Sequence, residues 1–147
     1  MVVDNAVLGT IHAHLREKYP HEACGFLIGL RGAGDGPIVI RAYPVPNRRE
    51  TDGGAANRYL ITPEDFMAAE GSAEQGSLVV IGTYHSHPDV SAEPSEYDQA
   101  HAWPWYQYLI VSVRNGQIAE TRAWELTEDR KHFKENPVDI SEPQSCP

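Results

Sequence analysis

The sequence predicts an α+β domain (mixed α/β), in which a central mixed β-sheet curls around and is flanked by helices. Helix patterns and strand patterns follow one another without the strict strand–helix repeat that builds a purely parallel sheet. Two turn signals, the glycine-rich stretch 32–36 and the pair Asn115–Gly116, each lie between apolar runs and predict hairpins. The length of 147 residues suits one domain with one core.

The first predicted element is an amphipathic helix near the start of the chain. Asp4 can cap it, its apolar residues recur at helical spacing, and Pro20 ends it. His12 and His14 lie on this helix two positions apart, so their side chains point in different directions. We interpret both histidines as solvated surface residues.

The remaining elements follow from apolar runs and helix-start signals. Thr62, followed by proline and two acidic residues, is a strong helix start. The predicted elements are a hairpin formed by residues 23–30 and 37–45, a short strand at 58–61, a helix at 63–70, a strand at 77–87, a helix at 95–102 and a hairpin over 106–126. Residues 47–57 are predicted to form a mobile loop.

One boundary follows from composition. Residues 1–126 are predicted to form the domain, and residues 127–147 a polar tail that is loose at its end and has a short helix near 128–135. The two cysteines, Cys24 and Cys146, do not suggest a disulfide framework.

Charge and hydropathy exclude some functions. The net charge is −9 and no long basic run is present, which argues against binding to nucleic-acid phosphates. The first residues contain neither a basic leader nor a long apolar stretch. We therefore expect a cytoplasmic protein without a membrane span.

Chemically active side chains are concentrated in residues 85–98, HSHPDVSAEPSEYD. His85 and His87 are two positions apart on a strand, so both imidazoles point to the same side of the sheet. Asp98 lies in the first turn of the following helix and is the natural third ligand. Imidazole nitrogen and carboxylate oxygen suit Zn²⁺, and three protein ligands with one position left for water are typical of catalytic zinc.

The same residues also have an ordinary structural interpretation. Ser95 and Asp98 form the Ser-x-x-Asp pattern of a capping box, in which each side chain bonds to the other residue's amide. The two interpretations are compatible, because Ser95 can cap the helix while its hydroxyl faces the metal site.

The spacing His-x-His-x7-Ser-x2-Asp resembles the JAMM or MPN+ (Mov34/MPN/PAD-1) family of zinc metalloproteases. Its motif positions are filled by His85, Ser86, His87, Ser95 and Asp98. The family pattern also includes an upstream glutamate, which HEACGFLIG supplies as Glu22. The likeness extends over roughly residues 4–126 and implies the JAMM architecture, which is similar to that of cytidine deaminases.

The resemblance implies a role for each motif residue. His85, His87 and Asp98 would bind one catalytic zinc ion, whose water would be the nucleophile. Glu22 would be the general base that takes the proton of this water and passes it to the leaving amine. Ser95 would donate a hydrogen bond to the oxyanion of the tetrahedral intermediate.

The resemblance is greatest to the compact bacterial members, which act on small ubiquitin-like sulfur-carrier proteins. Seven residues separate Asp98 from Tyr106, so no large insertion is available there to hold ubiquitin. The implied substrate is an amide or isopeptide bond at or after the C-terminal Gly-Gly of such a carrier. Arg48 and Arg49, in the loop 47–57, are candidates for a substrate clamp. The alternative is a non-catalytic MPN-type scaffold, which the complete ligand set disfavours.

Neighbouring residues receive structural interpretations. Cys24 is expected to be a small buried packing residue rather than a ligand. His101, three residues after Asp98 on the same helix, could reach the ligands from behind. The aromatic residues expected to pack in the core, with one of them a candidate to line a substrate groove, are Trp103, Trp105, Tyr106 and Tyr108.

Overall fold

The structure is a computed structural model and describes residues 1–32, 34, 36–48 and 59–142. These residues form one eight-stranded sheet and three helices. The strands are β1 (Val2–Asp4), β2 (Cys24–Leu30), β3 (Ile38–Val45), β4 (Val79–Pro88), β5 (Gln107–Arg114), β6 (Gln117–Leu126), β7 (Phe133–Asn136) and β8 (Asp139–Ser141). The helices are α1 (Asn5–Lys18), α2 (Pro63–Gln75) and α3 (Glu96–His101).

The sheet is mixed, with strand order β7-β6-β5-β4-β2-β3-β1-β8. Both predicted hairpins are present as antiparallel pairs, β2 with β3 and β5 with β6. Strand β4 lies between them, antiparallel to β2 and parallel to β5. The predicted class, a mixed sheet flanked by helices, is confirmed.

Helices cover the two faces of the sheet. Side chains alternate along β2, so Leu27 packs on one face in the core cluster that contains Leu8 and Ile11 of α1. Phe26 packs on the other face, in the cluster that contains Ala69 of α2. Strands β2 and β4 are therefore buried on both faces, and β4 can carry enclosed polar groups.

Helix α2 extends five residues beyond the predicted end at Glu70. The sequence Gly71-Ser72 weakens the helix locally. In the folded chain, Arg41 donates to the Ser72 hydroxyl and carbonyl at 2.7 and 3.0 Å, and Ala73 packs into the core. Tertiary contacts thus outweigh the unfavourable local propensity.

The predicted helix near 128–135 is wrong. Residues 133–136 form β7, which pairs with β6, and residues 139–141 form β8, which pairs with β1 at the opposite edge of the sheet. These short edge strands owe their formation to main-chain pairing rather than to a side-chain pattern: β7 forms a hairpin with the preceding strand β6, and β8 pairs with β1 from the other end of the chain. The end of the tail, including Cys146, lies outside the described residues, and the domain boundary at residue 126 stays a prediction.

The short strand expected at 58–61 is absent from its described part, residues 59–61. This segment is instead held by two bonds at Leu60, whose carbonyl accepts from the Arg48 amide and whose amide donates to the Asn47 side chain. The loop predicted at 47–57 lies, from residue 49 onward, outside the described residues.

The surface interpretation of the α1 histidines is wrong. His12 is half-buried and its Nε2 lies 2.8 Å from the Thr121 hydroxyl, while Nδ1 of His14 lies 2.9 Å from the Tyr84 hydroxyl. Burial, with a cationic neighbour on α1 in each case, lowers the pKa of both histidines. None of the described helices is long and apolar enough to cross a membrane.

Candidate metal centre

Strand β4 places two imidazoles side by side on the face of the sheet that α2 and α3 cover. His85 and His87 are both buried, and their Nε2 atoms lie 3.2 Å apart. Nδ1 of His87 lies 2.8 Å from the Ser91 carbonyl oxygen, which can only accept. The neutral His87 ring therefore carries its proton on Nδ1 and presents the lone pair of Nε2 to the centre.

Helix α3 supplies the carboxylate. Its two oxygens each lie 3.1 Å from one imidazole, Oδ1 from His85 Nε2 and Oδ2 from His87 Nε2. The capping box also forms: the Ser95 amide donates to the Asp98 carboxylate at 2.8 Å, and the Asp98 amide donates to the Ser95 hydroxyl at 3.1 Å. Asp98 is thus held at both its main chain and its side chain.

These three side chains fit a zinc ion. Zinc–ligand bonds of about 2.0–2.1 Å in a tetrahedron place neighbouring ligand atoms about 3.3–3.4 Å apart. The contacts among His85, His87 and Asp98 are 3.1–3.2 Å. Two imidazole nitrogens and a carboxylate facing one another, nearly closed to solvent, are a donor set that requires a proton or a cation between them.

Glu22 lies next to this set, immediately before β2. Glu22, His85 and His87 each offer a ligand atom within 4.8 Å of the other two. Glu22 is itself buried. Two carboxylates therefore lie beside the imidazole pair: Asp98 in direct contact with both rings, and Glu22 within reach of both.

Two side chains hold the main chain around Glu22. The Asn47 amide donates to the Glu22 carbonyl at 2.8 Å. On the other side, the Ala23 amide donates to the Ser86 hydroxyl at 3.0 Å, and the Ser86 amide donates back to the Ala23 carbonyl at 3.0 Å. Ser86, between the two histidines, thus ties the Glu22 segment directly to the ligand strand.

Tyr59 forms the wall beside His85, with ring centroids 4.5 Å apart in a stacked arrangement. Nδ1 of His85 is buried and has no hydrogen-bond partner among the residues that the structure describes. Sequence reasoning missed Tyr59 and Asn47, because neither lies in a local pattern that marks a site. Ser86 belongs to the motif, but its hydrogen bonds to Ala23 become visible only in the fold.

Electrostatics favour an ionised Asp98. Burial by itself would raise the pKa of this carboxyl, but the His85 and His87 imidazoles and the Ser95 amide outweigh it and hold the pKa well below its usual range. For His87, burial is opposed by hydrogen bonds to Asp98 and to the Ser91 carbonyl, and its pKa is raised. A metal ion would therefore compete with a proton at His87.

Several sequence-predicted candidates lie outside this cluster. Nδ1 of His101 lies 2.8 Å from the Tyr97 carbonyl, and the ring is exposed, so the structure gives it no contact with the ligands. Arg48 forms an ion pair with Asp65 at 2.7 Å, and Arg49 lies outside the described residues. Cys24 is buried in the apolar cluster beneath α2, as expected for a packing residue.

The expectation for the aromatic residues is partly wrong. Tyr108 is buried and Tyr106 packs beside it, as expected. Trp103 and Trp105 instead are 58% and 70% exposed. Both lie in the short connection between α3 and β5, and their side chains face solvent rather than the core.

Comparison with known proteins identifies the family. Residues 4–127 match Prok-JAB, the prokaryotic homologs of the JAB domain. The chain belongs to this family. It is a JAMM-type metallopeptidase, and the resemblance read from residues 85–98 and Glu22 is confirmed.

Three known proteins illustrate the similarity of this Prok-JAB chain to others. The desampylase of Haloferax volcanii is 35% identical over 108 residues, covering 70% of this chain and 73% of the relative. The CysO-cysteine peptidase of Mycobacterium tuberculosis is 28% identical over 143 residues, covering 97% and 92%. A JAB1/MPN domain protein from Archaeoglobus fulgidus shares the fold at 19% identity, with a TM-score of 0.60 over 95% of this chain and 98% of the other.

Proposed function

We propose that this protein is a zinc-dependent peptidase or isopeptidase that hydrolyses an amide bond at or after the C-terminal Gly-Gly of a small ubiquitin-like sulfur-carrier protein. The observation that carries the proposal is the buried set of His85, His87 and Asp98 at 3.1–3.2 Å, with Glu22 beside it. The similarity to a CysO-cysteine peptidase over 97% of the chain supports the substrate class.

Each side chain has a distinct task in this proposal. His85, His87 and Asp98 hold the ion, and the bond from the Ser95 amide orients the Asp98 carboxylate. A zinc ion held there would lower the pKa of a bound water to about 7 and would polarise a carbonyl. Glu22 takes the proton of the attacking water and delivers it to the leaving amine.

Ser95 supports the transition state in the same scheme. Its hydroxyl oxygen accepts from the Asp98 amide, which leaves the hydroxyl hydrogen to donate elsewhere, and the side chain is exposed to an incoming substrate. A donor at this position would stabilise the oxyanion that forms when water adds to the carbonyl. The helix cap and the oxyanion donor are then one hydroxyl group.

The test is hydrolysis of a defined substrate. A sulfur-carrier protein extended by one cysteine after its Gly-Gly is incubated with the zinc-loaded protein, and the released cysteine and carrier masses are measured. We expect cleavage directly after Gly-Gly by the wild-type protein and loss of this cleavage in Glu22→Gln. This substitution keeps the shape of the side chain but removes the base.

Metal content separates the peptidase from the scaffold. We expect one equivalent of zinc per chain in wild type and in Glu22→Gln, because the three ligands remain. If neither protein binds zinc and the carrier stays intact, the peptidase proposal fails and a non-catalytic scaffold is favoured. Cleavage that is equal in wild type and Glu22→Gln would reject Glu22 as the base.

A further inference from the structure

A groove of about 380 Å³ opens beside the metal centre, between the start of α2 and the end of α3. A row of three cross-strand partners lines it from the sheet: Phe26 of β2, Thr83 of β4 and Tyr108 of β5. Thr83 is two residues before His85 on the same strand, so its side chain lies on the same face as the metal ligands.

The walls of the groove are apolar and partly open to solvent. The ring centroid of Phe66, on α2, lies 6.2 Å from that of Trp103 and 6.3 Å from that of Tyr106, and these two residues follow α3 in the chain. On the rim, Met67 is 69% exposed and Trp103 is 58% exposed. Covering these side chains would remove apolar surface from water, so the groove favours an apolar ligand group.

The floor of the groove also has one polar requirement. The Thr83 hydroxyl is buried and has no hydrogen-bond partner among the described residues. A purely apolar ligand that filled the groove would leave this hydroxyl unpaired, which is unfavourable. An extended peptide meets both conditions, because it presents a side chain and main-chain N–H and C=O groups at each residue.

The groove is continuous with the metal centre. Tyr59 lines the groove and stacks on His85. The two-residue step along β4 from His85 to Thr83 spans about 7 Å, and an extended Gly-Gly dipeptide spans about the same length. If the scissile carbonyl lies at the metal ligands, the residues just before Gly-Gly lie over Thr83.

We propose that this groove binds an apolar side chain from one of the two residues that precede Gly-Gly in the substrate tail, and that the Thr83 hydroxyl bonds to the main chain of the tail. The proposal rests on the function proposed above and adds its side-chain specificity. Glycine itself has no side chain to fill the groove, so selectivity must come from the residues before it.

The first experiment measures kcat/KM on synthetic peptides that end in Gly-Gly joined by an amide to a fluorogenic aminocoumarin. The two positions before Gly-Gly are varied one at a time among glycine, alanine, leucine and phenylalanine. We expect leucine or phenylalanine at one of them to exceed glycine by about tenfold or more. Met67→Ala should reduce this preference.

The second variant isolates the hydroxyl. Thr83→Val keeps the side-chain shape, and we expect kcat/KM on the leucine peptide to fall about threefold to tenfold. Its thermal midpoint should not fall, because the hydroxyl has no partner to lose in the free protein. Ile140→Ala, an exposed apolar residue on the distant edge strand β8, is the matched control and should leave kcat/KM unchanged.

A binding experiment separates this proposal from the proposed function. The same tails, ending in Gly-Gly carboxylate, are titrated calorimetrically into Glu22→Gln, with and without Thr83→Val. If the leucine tail binds more tightly than the glycine tail, and Thr83→Val weakens this binding, the groove proposal is supported. If in addition no peptide is cleaved, only the proposed peptidase function fails. Cleavage without side-chain preference, or equal binding of both tails, overturns the groove and leaves the peptidase intact.

Discussion

Helices α2 and α3 begin with the same cap chemistry but serve different ends. In each, a hydroxyl at the cap accepts from the amide of an aspartate three residues later, whose carboxylate accepts from the cap amide. Asp65 and Asp98 are equally buried, at 7% exposure. The carboxylate of Asp65 meets the Arg48 guanidinium, whereas that of Asp98 meets two imidazoles.

The comparison shows that a capping box by itself does not determine function. Its carboxylate oxygens can also contact other groups, and these contacts differ between the two helices. At α2 they stabilise the chain that precedes the helix, because Arg48 follows Asn47, which binds Glu22. At α3 they complete a donor set for a cation. Whether the carboxylate has a structural or a chemical role therefore depends on which side chains pack against the start of the helix.

The largest expected effect comes from removing each carboxylate in turn. Asp98→Asn should lower kcat/KM by about 1,000-fold or more, because a zinc ligand and several kcal/mol of transition-state stabilisation are lost. Asp65→Asn, with the same change in the same cap position, should retain activity within about threefold. Hydrolysis of the cysteine-extended carrier measures both, and equal losses would contradict the division of roles.

The second effect separates the cap from the oxyanion donor. Ser95→Ala and Thr62→Ala each remove one cap hydroxyl and should each cost about 1 kcal/mol of stability, read as a shift in the denaturant midpoint. Ser95→Ala alone should also lower kcat by about 100-fold. An unchanged kcat in Ser95→Ala would leave that hydroxyl with only its capping role.

The third effect concerns metal binding and stability. Zinc at 100 times its dissociation constant should stabilise the wild type and Asp65→Asn by about 2.7 kcal/mol, since it binds only the folded state. Asp98→Asn should show little stabilisation. Thermal unfolding after chelation, with and without added zinc, tests this, and a zinc-induced shift equal in all three proteins would place the ion elsewhere.

The smallest effect is the pH dependence at α2. The hydrogen bond from Arg48 lowers the pKa of Asp65 although burial opposes it, so the folded state favours the ionised carboxylate. Stability from this pair is therefore present above the ordinary carboxyl pKa and is lost as pH falls through the lowered one. Because the Arg48 side chain is 45% exposed, the difference between wild type and Asp65→Asn should be below about 1 kcal/mol at pH 7 and should vanish in acid.

Local patterns carried much of the prediction. Several features depend only on residues that are close together in the sequence. These are the two hairpins, the helix caps at Asp4, Thr62 and Ser95, and the placement of two histidines on one face of a strand. Edge strand β8 was missed because it forms by pairing with β1, which is distant in sequence. Edge strand β7 was missed because the short, mostly polar sequence FKEN has no strand pattern and becomes a strand only by pairing with β6. His12 and His14 were misinterpreted for a related reason: their partners lie on β6 and β4.

The sequence by itself determined the motif, the fold class and the chemistry of the donor atoms, because strand alternation and helix capping act over a few residues. Only the tertiary structure decided that Asp98 reaches both imidazoles while Asp65 does not. It also brought Ser86 and Asn47 to the main chain around Glu22, and it left the buried Thr83 hydroxyl without a partner among the described residues, on a residue that lines an apolar groove. These outcomes depend on contacts across the sheet, which are set by how strands and helices pack and leave no local sequence pattern.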